Sequence, residues 1–480
     1  MKGSLLPLLL PGRALAAALL ALACLPCAAE PQTPVSPPPE AFVSVEERLS
    51  RLEKLLEETR AELAALKAAP SDAATRARLA ELDRKIEILT REIEKMKLGE
   101  AAAARPSESP GSYGVGPAAA KVYGKDGLSI GGYGEALYQN FAASDQSGAP
   151  SGAEDNVTLL RAVLYVGYKF DPHFVLNTEI EYENAVVASD KGGEAEVEFA
   201  YVDYMRTRAL NARAGLVLIP MGLVNELHEP TSFLGARRPD VEDLILPTTW
   251  RELGFGLYGS AGPLTYRAYG VNGLKAAGYD AEEGIREGRQ EGSEALARNW
   301  AFTGRLDYTA VPGLLVGASV FSGNAGQGLL APSGRPIGAL TTVFDLHADW
   351  RWRGVWLRGL YARTRVGDAA LINQANGFTG DESVGSRQGG WYLQAGYDLL
   401  ALKAGSRSAL WAFLRYEEYD TQKSVPAGYE RNPANDAREL TAGISFLPID
   451  RLVLKADWQQ RRNRARTGVD QWNIALGYIF

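Results

Sequence analysis

Residues 340–352 read "LTTVFDLHADWRW". In an extended strand successive side chains point to opposite faces. Leu340, Thr342, Phe344, Leu346, Trp350 and Trp352 therefore share one face, and Asp345, His347, Asp349 and Arg351 share the other. Ionisable groups at consecutive inward positions cannot pack a dry core, because an unpaired buried charge costs on the order of several kcal/mol. A water-filled interior removes that problem. An apolar outer face with aromatics near the strand end suits lipid and its interfaces. This stretch predicts a strand of a transmembrane barrel.

The same period runs from residue 127 to 480. Sixteen strands are predicted, near 127–142, 157–170, 173–186, 194–207, 209–219, 251–260, 263–274, 298–310, 312–323, 340–352, 354–365, 389–399, 408–420, 437–447, 450–463 and 469–480. The phase of 194–207 and of 354–365 is ambiguous. Connections alternate between short and long, the mark of an outer-membrane barrel. An even count places both ends of the barrel on the short-turn side, the periplasm. Sixteen strands are expected to leave an aqueous channel. In "DQWNIALGYIF" (470–480), Trp472, Ile474, Leu476, Tyr478 and Phe480 are expected to face lipid, and Asn473, Ala475 and Gly477 the lumen.

Composition agrees. The 480 residues carry 51 Gly and 21 Tyr and a net charge of −7, which argues against a nucleic-acid binder. Within 127–480 there are 34 Lys and Arg against 41 Asp and Glu, and only six of the 34 are Lys.

The segment before the barrel reads differently. Residues 1–29 have the charged, apolar and small-residue regions of a secretory signal peptide. Cleavage after Ala29 removes Cys24 and Cys27; lipoprotein processing at Cys24 is the rival. Residues 30–43 form a Pro-rich spacer. In 44–98, Val45, Leu49, Leu52, Leu56, Leu63 and Leu66, then Leu79, Leu82, Ile86, Leu89, Ile93 and Met96, recur at heptad spacing. A break near 70–72 ("PSD") separates two coiled-coil helices, forming a rod or a hairpin. Residues 99–126 read as a linker. No apolar run after the signal reaches the ~18 residues a membrane helix needs.

Transport chemistry is sought on the inward faces. Arg161, Arg213, Arg267, Arg305 and Arg415 are expected to line the pore with Glu179, Glu181, Glu183, Asp345 and Asp349. Opposite signs on opposite walls would set ion preference; alternatively each arginine simply pairs with a neighbouring acid. The segment 220–250 mixes apolar and charged residues over about thirty positions, and long loops in compact domains are usually functional. It is expected to fold inward and constrict the lumen with Arg237, Arg238, Asp240, Glu242 and Asp243, beside His228 and Glu229. An external lid is the other reading.

Three further segments, "LLRAVLYVGYKFDPHFVLNTEIEYEN" (159–184), "VEFAYVDYMRTRALNARAGLVLIPMGL" (197–223) and "GGWYLQAGYDLL" (389–400), together with "RELGFGLYG" (251–259), "YGVNGL" (269–274) and the last strand, resemble the phosphate-selective porin O and P family. The chain is also similar to dicarboxylate-type trimeric porins. The resemblance implies a homotrimer, an inward third loop and arginines that guide anions. Long loops carrying Glu282, Glu283, Glu287, Glu291 and Glu294 leave the solute open between phosphate, small carboxylates and other small polar solutes.

Two other classes are compatible with a barrel. A barrel enzyme needs a nucleophile, a base and an orienting group, and only His347, beside Asp345 and Asp349, offers a relay. A structural tether would use the coiled coil to bind cell wall or a periplasmic partner. No cofactor motif, metal-ligand spacing or nucleic-acid motif is read.

Overall fold

A computed structural model describes residues 45–67, 73–98, 113–124, 126–188, 192–403, 406 and 408–480. The expected signal segment, Pro-rich spacer and helix break near 70–72, with residues 99–112 of the expected linker, lie outside them. The chain divides into two units, near residues 1–89 and 90–480.

Helix α1 spans Val45–Lys67 and α2 spans Ala73–Leu98. Leu56 and Leu82 are buried, whereas Leu55 and Ile88, off the heptad positions, are exposed. Arg78 of α2 reaches Glu62 of α1 at 2.8 Å and Glu81 at 2.9 Å. The two helices therefore run side by side where those residues meet.

The second unit is a closed barrel of sixteen strands, each hydrogen-bonded to its neighbours in chain order. They are β1 Gly127–Phe141, β2 Asn156–Lys169, β3 Phe174–Glu183, β4 Ala195–Met205, β5 Asn211–Leu218, β6 Arg251–Ala261, β7 Leu264–Asn272 and β8 Trp300–Tyr308. They continue as β9 Leu314–Asn324, β10 Leu340–Trp352, β11 Val355–Val366, β12 Arg387–Asp398, β13 Ala409–Ser424, β14 Asp436–Ile449, β15 Leu452–Asn463 and β16 Gln471–Ile479. One short helix, α3 (Ala369–Asn376), sits between β11 and β12. Closure comes from antiparallel pairing of β1 with β16, Tyr133 opposite Ile479 through Phe141 opposite Gln471.

Turn chemistry explains the short end. Asp171 caps the β2–β3 turn, its Oδ1 accepting from the His173 and Phe174 amides at 2.7 and 2.8 Å. Arg353 and Gly354 both have positive φ (46° and 79°), the backbone of a two-residue hairpin turn matched to strand twist.

The two faces of the wall differ as the period demands. Outward, Leu253, Phe255, Trp300, Phe302, Phe344, Leu346, Trp350, Leu393, Leu414 and Trp472 are exposed. A contiguous apolar band of this kind is not a water-facing surface. No described helix is long and apolar enough to cross a membrane. Inward, Glu135, Arg161, Glu179, Glu181, Asp203, Arg213, Arg267, Arg305, Asp307, Asp345, Arg415, Glu417 and Asp457 are buried.

That burial corrects the expectation of an open aqueous lumen. Two segments fill the interior around an apolar core of Tyr165, Phe199, Tyr201, Val217, Ile245, Trp250, Tyr269 and Phe321. One is the β5–β6 connection, whose residues are buried almost throughout. The other is residues 113–124, expected as linker, which end in a 3-10 helix (Ala119–Gly124) and bury Val115, Ala118, Ala119 and Val122. Gly167 of β2 makes room for it: a Cβ there would lie 2.4 Å from Val122 Cγ2.

Candidate functional site: a lumen crossed by a loop

Strand geometry places the wall charges and the crossing loop meets them. Gly222 N donates to Asp345 Oδ2 (3.2 Å), Ala236 N to Asp457 Oδ2 (2.5 Å) and Val241 N to Glu417 Oε2 (3.1 Å). Arg305 donates to the Gly222 carbonyl, and Arg358 and Arg415 to those of Ser232 and Arg237. Buried backbone groups need partners when no water reaches them, and here the barrel wall supplies them. Pro230 packs where a Cβ on Gly477 would stand, 2.5 Å away. The loop thus touches strands around most of the circumference.

Of the residues expected at the constriction, Asp240 and Glu242 are buried and Arg237, Arg238 and Asp243 half-buried. Glu242 ties the loop to itself and to the wall. Its Oε2 accepts from the Leu223 and Val224 amides, both at 2.7 Å, and its Oε1 from Tyr392 at 2.6 Å. Asp240 accepts from Tyr419 at 2.9 Å and pairs with Arg461. Asp243 pairs with Arg286 at 2.8 Å. Arg238 stands within electrostatic reach of Arg161 and Glu181.

The wall arginines are ion-paired with neighbouring acids. Arg213 forks onto Asp203 at 2.8 and 2.9 Å, and Arg305 meets Asp307 at 2.8 Å. Arg415 meets Glu417 at 2.9 Å, and Arg267 meets Glu226 of the loop at 2.9 Å. Arg161 lies 3.7 Å from Glu135 and 3.6 Å from Glu181. Asp349 takes Arg358, and Glu179 faces His228 at 3.2 Å. Glu183 is half-buried near the rim. Opposite signs are interleaved along neighbouring strands, not sorted onto opposite walls. His347 is bracketed by Asp345 (2.6 Å) and Asp307 (2.9 Å); Asp349 is not its partner.

Residues 113–124 add contacts the sequence did not suggest. Tyr123 donates to Asp203 at 2.7 Å, Arg213 to the Tyr113 carbonyl at 2.8 Å, and the Ala118 amide to Glu229 at 2.9 Å. Tyr113 and Tyr123 stack at 3.8 Å. Glu196, Glu198, Arg251 and Arg461 were also missed. Glu198 sits at a bulge where β3 pairing steps from Phe199 to Val197.

At the long-loop end, above the crossing loop, lies a cavity of about 630 Å³. Arg237, Asp240, Asp243, Glu283, Arg286, Tyr419 and Arg461 line it. Arg237 forms no ion pair among the described residues, while Arg286 and Arg461 do. In the overlying β7–β8 connection, burial raises the Glu283 carboxyl above its ordinary range despite Arg286. Burial raises Asp280 likewise.

A closed antiparallel barrel with an apolar outer band and a charged, packed interior defines a transmembrane β-barrel protein. The chain belongs to one family with an uncharacterized protein of Aquifex aeolicus (strain VF5). The two are 39% identical over 376 residues, 76% of this chain and 83% of that one. No protein-family model matches. Among solved structures, an anion-selective porin from Comamonas acidovorans is 13% identical, covering 74% of this chain and 100% of that one, with a TM-score of 0.46. The trimer form of OmpT, an outer membrane protein of Vibrio cholerae, is 10% identical over 74% and 100%, with a TM-score of 0.45. The outer membrane protein opdK from Pseudomonas aeruginosa is 10% identical over 74% and 98%, with a TM-score of 0.39. Likeness that distant carries no statement about solute or assembly.

Proposed function

We propose that this chain is an outer-membrane porin, a passive channel for small hydrophilic solutes. The observation that carries the reading is the β5–β6 loop inside a lipid-facing sixteen-strand barrel, beneath a cavity lined by charged side chains. A loop that narrows a pore and lines it with fixed charges sets size and charge limits on what passes. The leaning towards anions such as phosphate or small carboxylates rests on Arg237, a cavity-lining arginine with no ion pair among the described residues, rather than on the paired wall arginines. Both ring nitrogens of His347 are engaged by carboxylates, which disfavours a hydrolytic relay there.

On this reading α1 and α2 form a coiled coil in the periplasm, and the barrel assembles as a homotrimer. Planar-bilayer recording tests the channel. Stepwise conductance is expected, with a reversal potential in a salt gradient that indicates anions and falls towards neutrality in Arg237→Ala. Competition by phosphate and by succinate ranks the solutes. A purified, folded barrel that gives no conductance steps in repeated insertions sinks the proposal.

A further inference from the structure

Beneath the crossing loop, four carboxylates converge with one imidazole. Glu179 comes from β3, Glu198 from β4 and His228 from the loop, all at or below 2% exposure. One donor atom from each lies within 4.8 Å of the other two, and Glu181 and Glu196 form a second such group with Glu198. Acidic clusters alone mean little, but two independent observations point to a ligand. First, Glu179 Oε2, Glu198 Oε2 and both Glu181 oxygens are buried and accept no hydrogen bond from the protein. Second, His228 Nδ1 lies 2.9 Å from the Asn225 carbonyl. A carbonyl only accepts, so Nδ1 donates, and Nε2 points at Glu179 Oε1, 3.2 Å away; wherever Nε2 carries no proton, two acceptors face each other there. Two lone pairs facing each other in a buried site repel unless a cation lies between them. An imidazole held through one nitrogen by a carbonyl, with the other aimed at a carboxylate, is an arrangement that metal-ligating histidines share.

We propose that Glu179, Glu198 and His228 bind one divalent transition-metal ion of the zinc class, with Glu181 or Glu196 completing its shell. Mixed imidazole and carboxylate donors favour zinc, manganese or iron(II) over calcium, which takes oxygen ligands. Donors at about 2.0–2.2 Å from a tetrahedral ion stand roughly 3.5 Å apart, so side-chain movements of about 1 Å close the shell. The cation balances charge where Arg251 is shared by Glu196, Glu198 and Glu291, Arg161 by Glu135 and Glu181, and Glu179 makes its ion pair with His228. It also ties the crossing loop to β3 and β4. This goes beyond the channel reading and does not rest on it. No sequence spacing announces the site, because its donors come from three separate segments.

The test uses the full chain in detergent, stripped with EDTA, reloaded with Zn²⁺ and dialysed. About one tightly held zinc per chain is expected by mass spectrometry. His228→Ala and Glu198→Gln should weaken Zn²⁺ binding by more than about 100-fold, beyond what loss of an outer-shell partner costs. Folding is checked by heat-modifiable gel migration; Glu179→Gln, nearly the size of the native side chain, serves if the others do not fold, with weakened binding expected. Zinc-edge X-ray absorption on the wild type should show nitrogen and oxygen ligands with an imidazole signature. No zinc uptake, as expected for an imidazolium bridging Glu179 or a proton shared by the acids, overturns the proposal. So does unchanged uptake in the folded variants.

Discussion

Arg213 shows how much one side chain holds. It forks onto buried Asp203, donates to the Tyr113 carbonyl, and lies 3.7 Å over the Tyr201 ring and 4.9 Å from that of Tyr258. Arg213→Ala strands the Asp203 charge in a dry site, and breaking a buried pair costs about 3–5 kcal/mol. Denaturant unfolding in detergent should register that loss, and Arg213→Ala with Asp203→Asn should recover part of it. The Glu283 carboxyl gives a pH prediction. Burial raises its proton affinity, so it neutralises before an ordinary glutamate as pH falls from about 7.5 towards 5. The cavity arginines keep their charge over that range. Anion preference, read as reversal potential, should therefore rise on acidification. Glu283→Gln should start from the higher preference and shift less.

At the scale of elements, the two inserted segments are what a solute would have to pass on the channel reading. Deleting 228–243 should raise single-channel conductance at least about twofold, since the span removed crosses the lumen. Gly167→Leu should unseat residues 113–124 through the Val122 contact and raise conductance without touching the crossing loop. Proteolysis near residue 113 reports the release. These elements were unequally legible. All sixteen strands followed from period two, because sterics and burial act locally along each strand. The phase of β4 resisted because a bulge turns both Glu198 and Phe199 inward. That of β11 resisted because Trp356 and Leu360 face in while Arg363 and Arg365 face out. The 113–124 segment hid behind a Gly- and Ala-rich composition that reads as linker. The apolar content of 220–250 goes with its burial, but its ion pairs have no signal in the sequence. Pairing depends on register between strands, which no single strand encodes.

For the whole molecule, the outer band is the feature most open to direct measurement. Leu346 is half exposed in the middle of β10. Leu346→Arg should destabilise the barrel by about 2–4 kcal/mol in lipid vesicles if that position lies at the bilayer midplane. The same change at Leu340, beside the long-loop end, should cost about 0–1 kcal/mol. Equal costs at both positions would contradict the placement of the band.

The crossing loop also constrains the order of assembly. Ala236 and Asp240 find their partners Asp457 and Arg461 221 residues further along the chain. Val241 finds Glu417 176 residues on. Contacts that distant in sequence close slowly, because chain entropy must be lost before they form. A nascent sheet lacking β13 and β15 has a loop whose amides and carboxylates meet no protein partner there. The contacts of the loop with β13 and β15 must therefore form after those strands have joined the sheet, and the closing of the β1–β16 seam then encloses it.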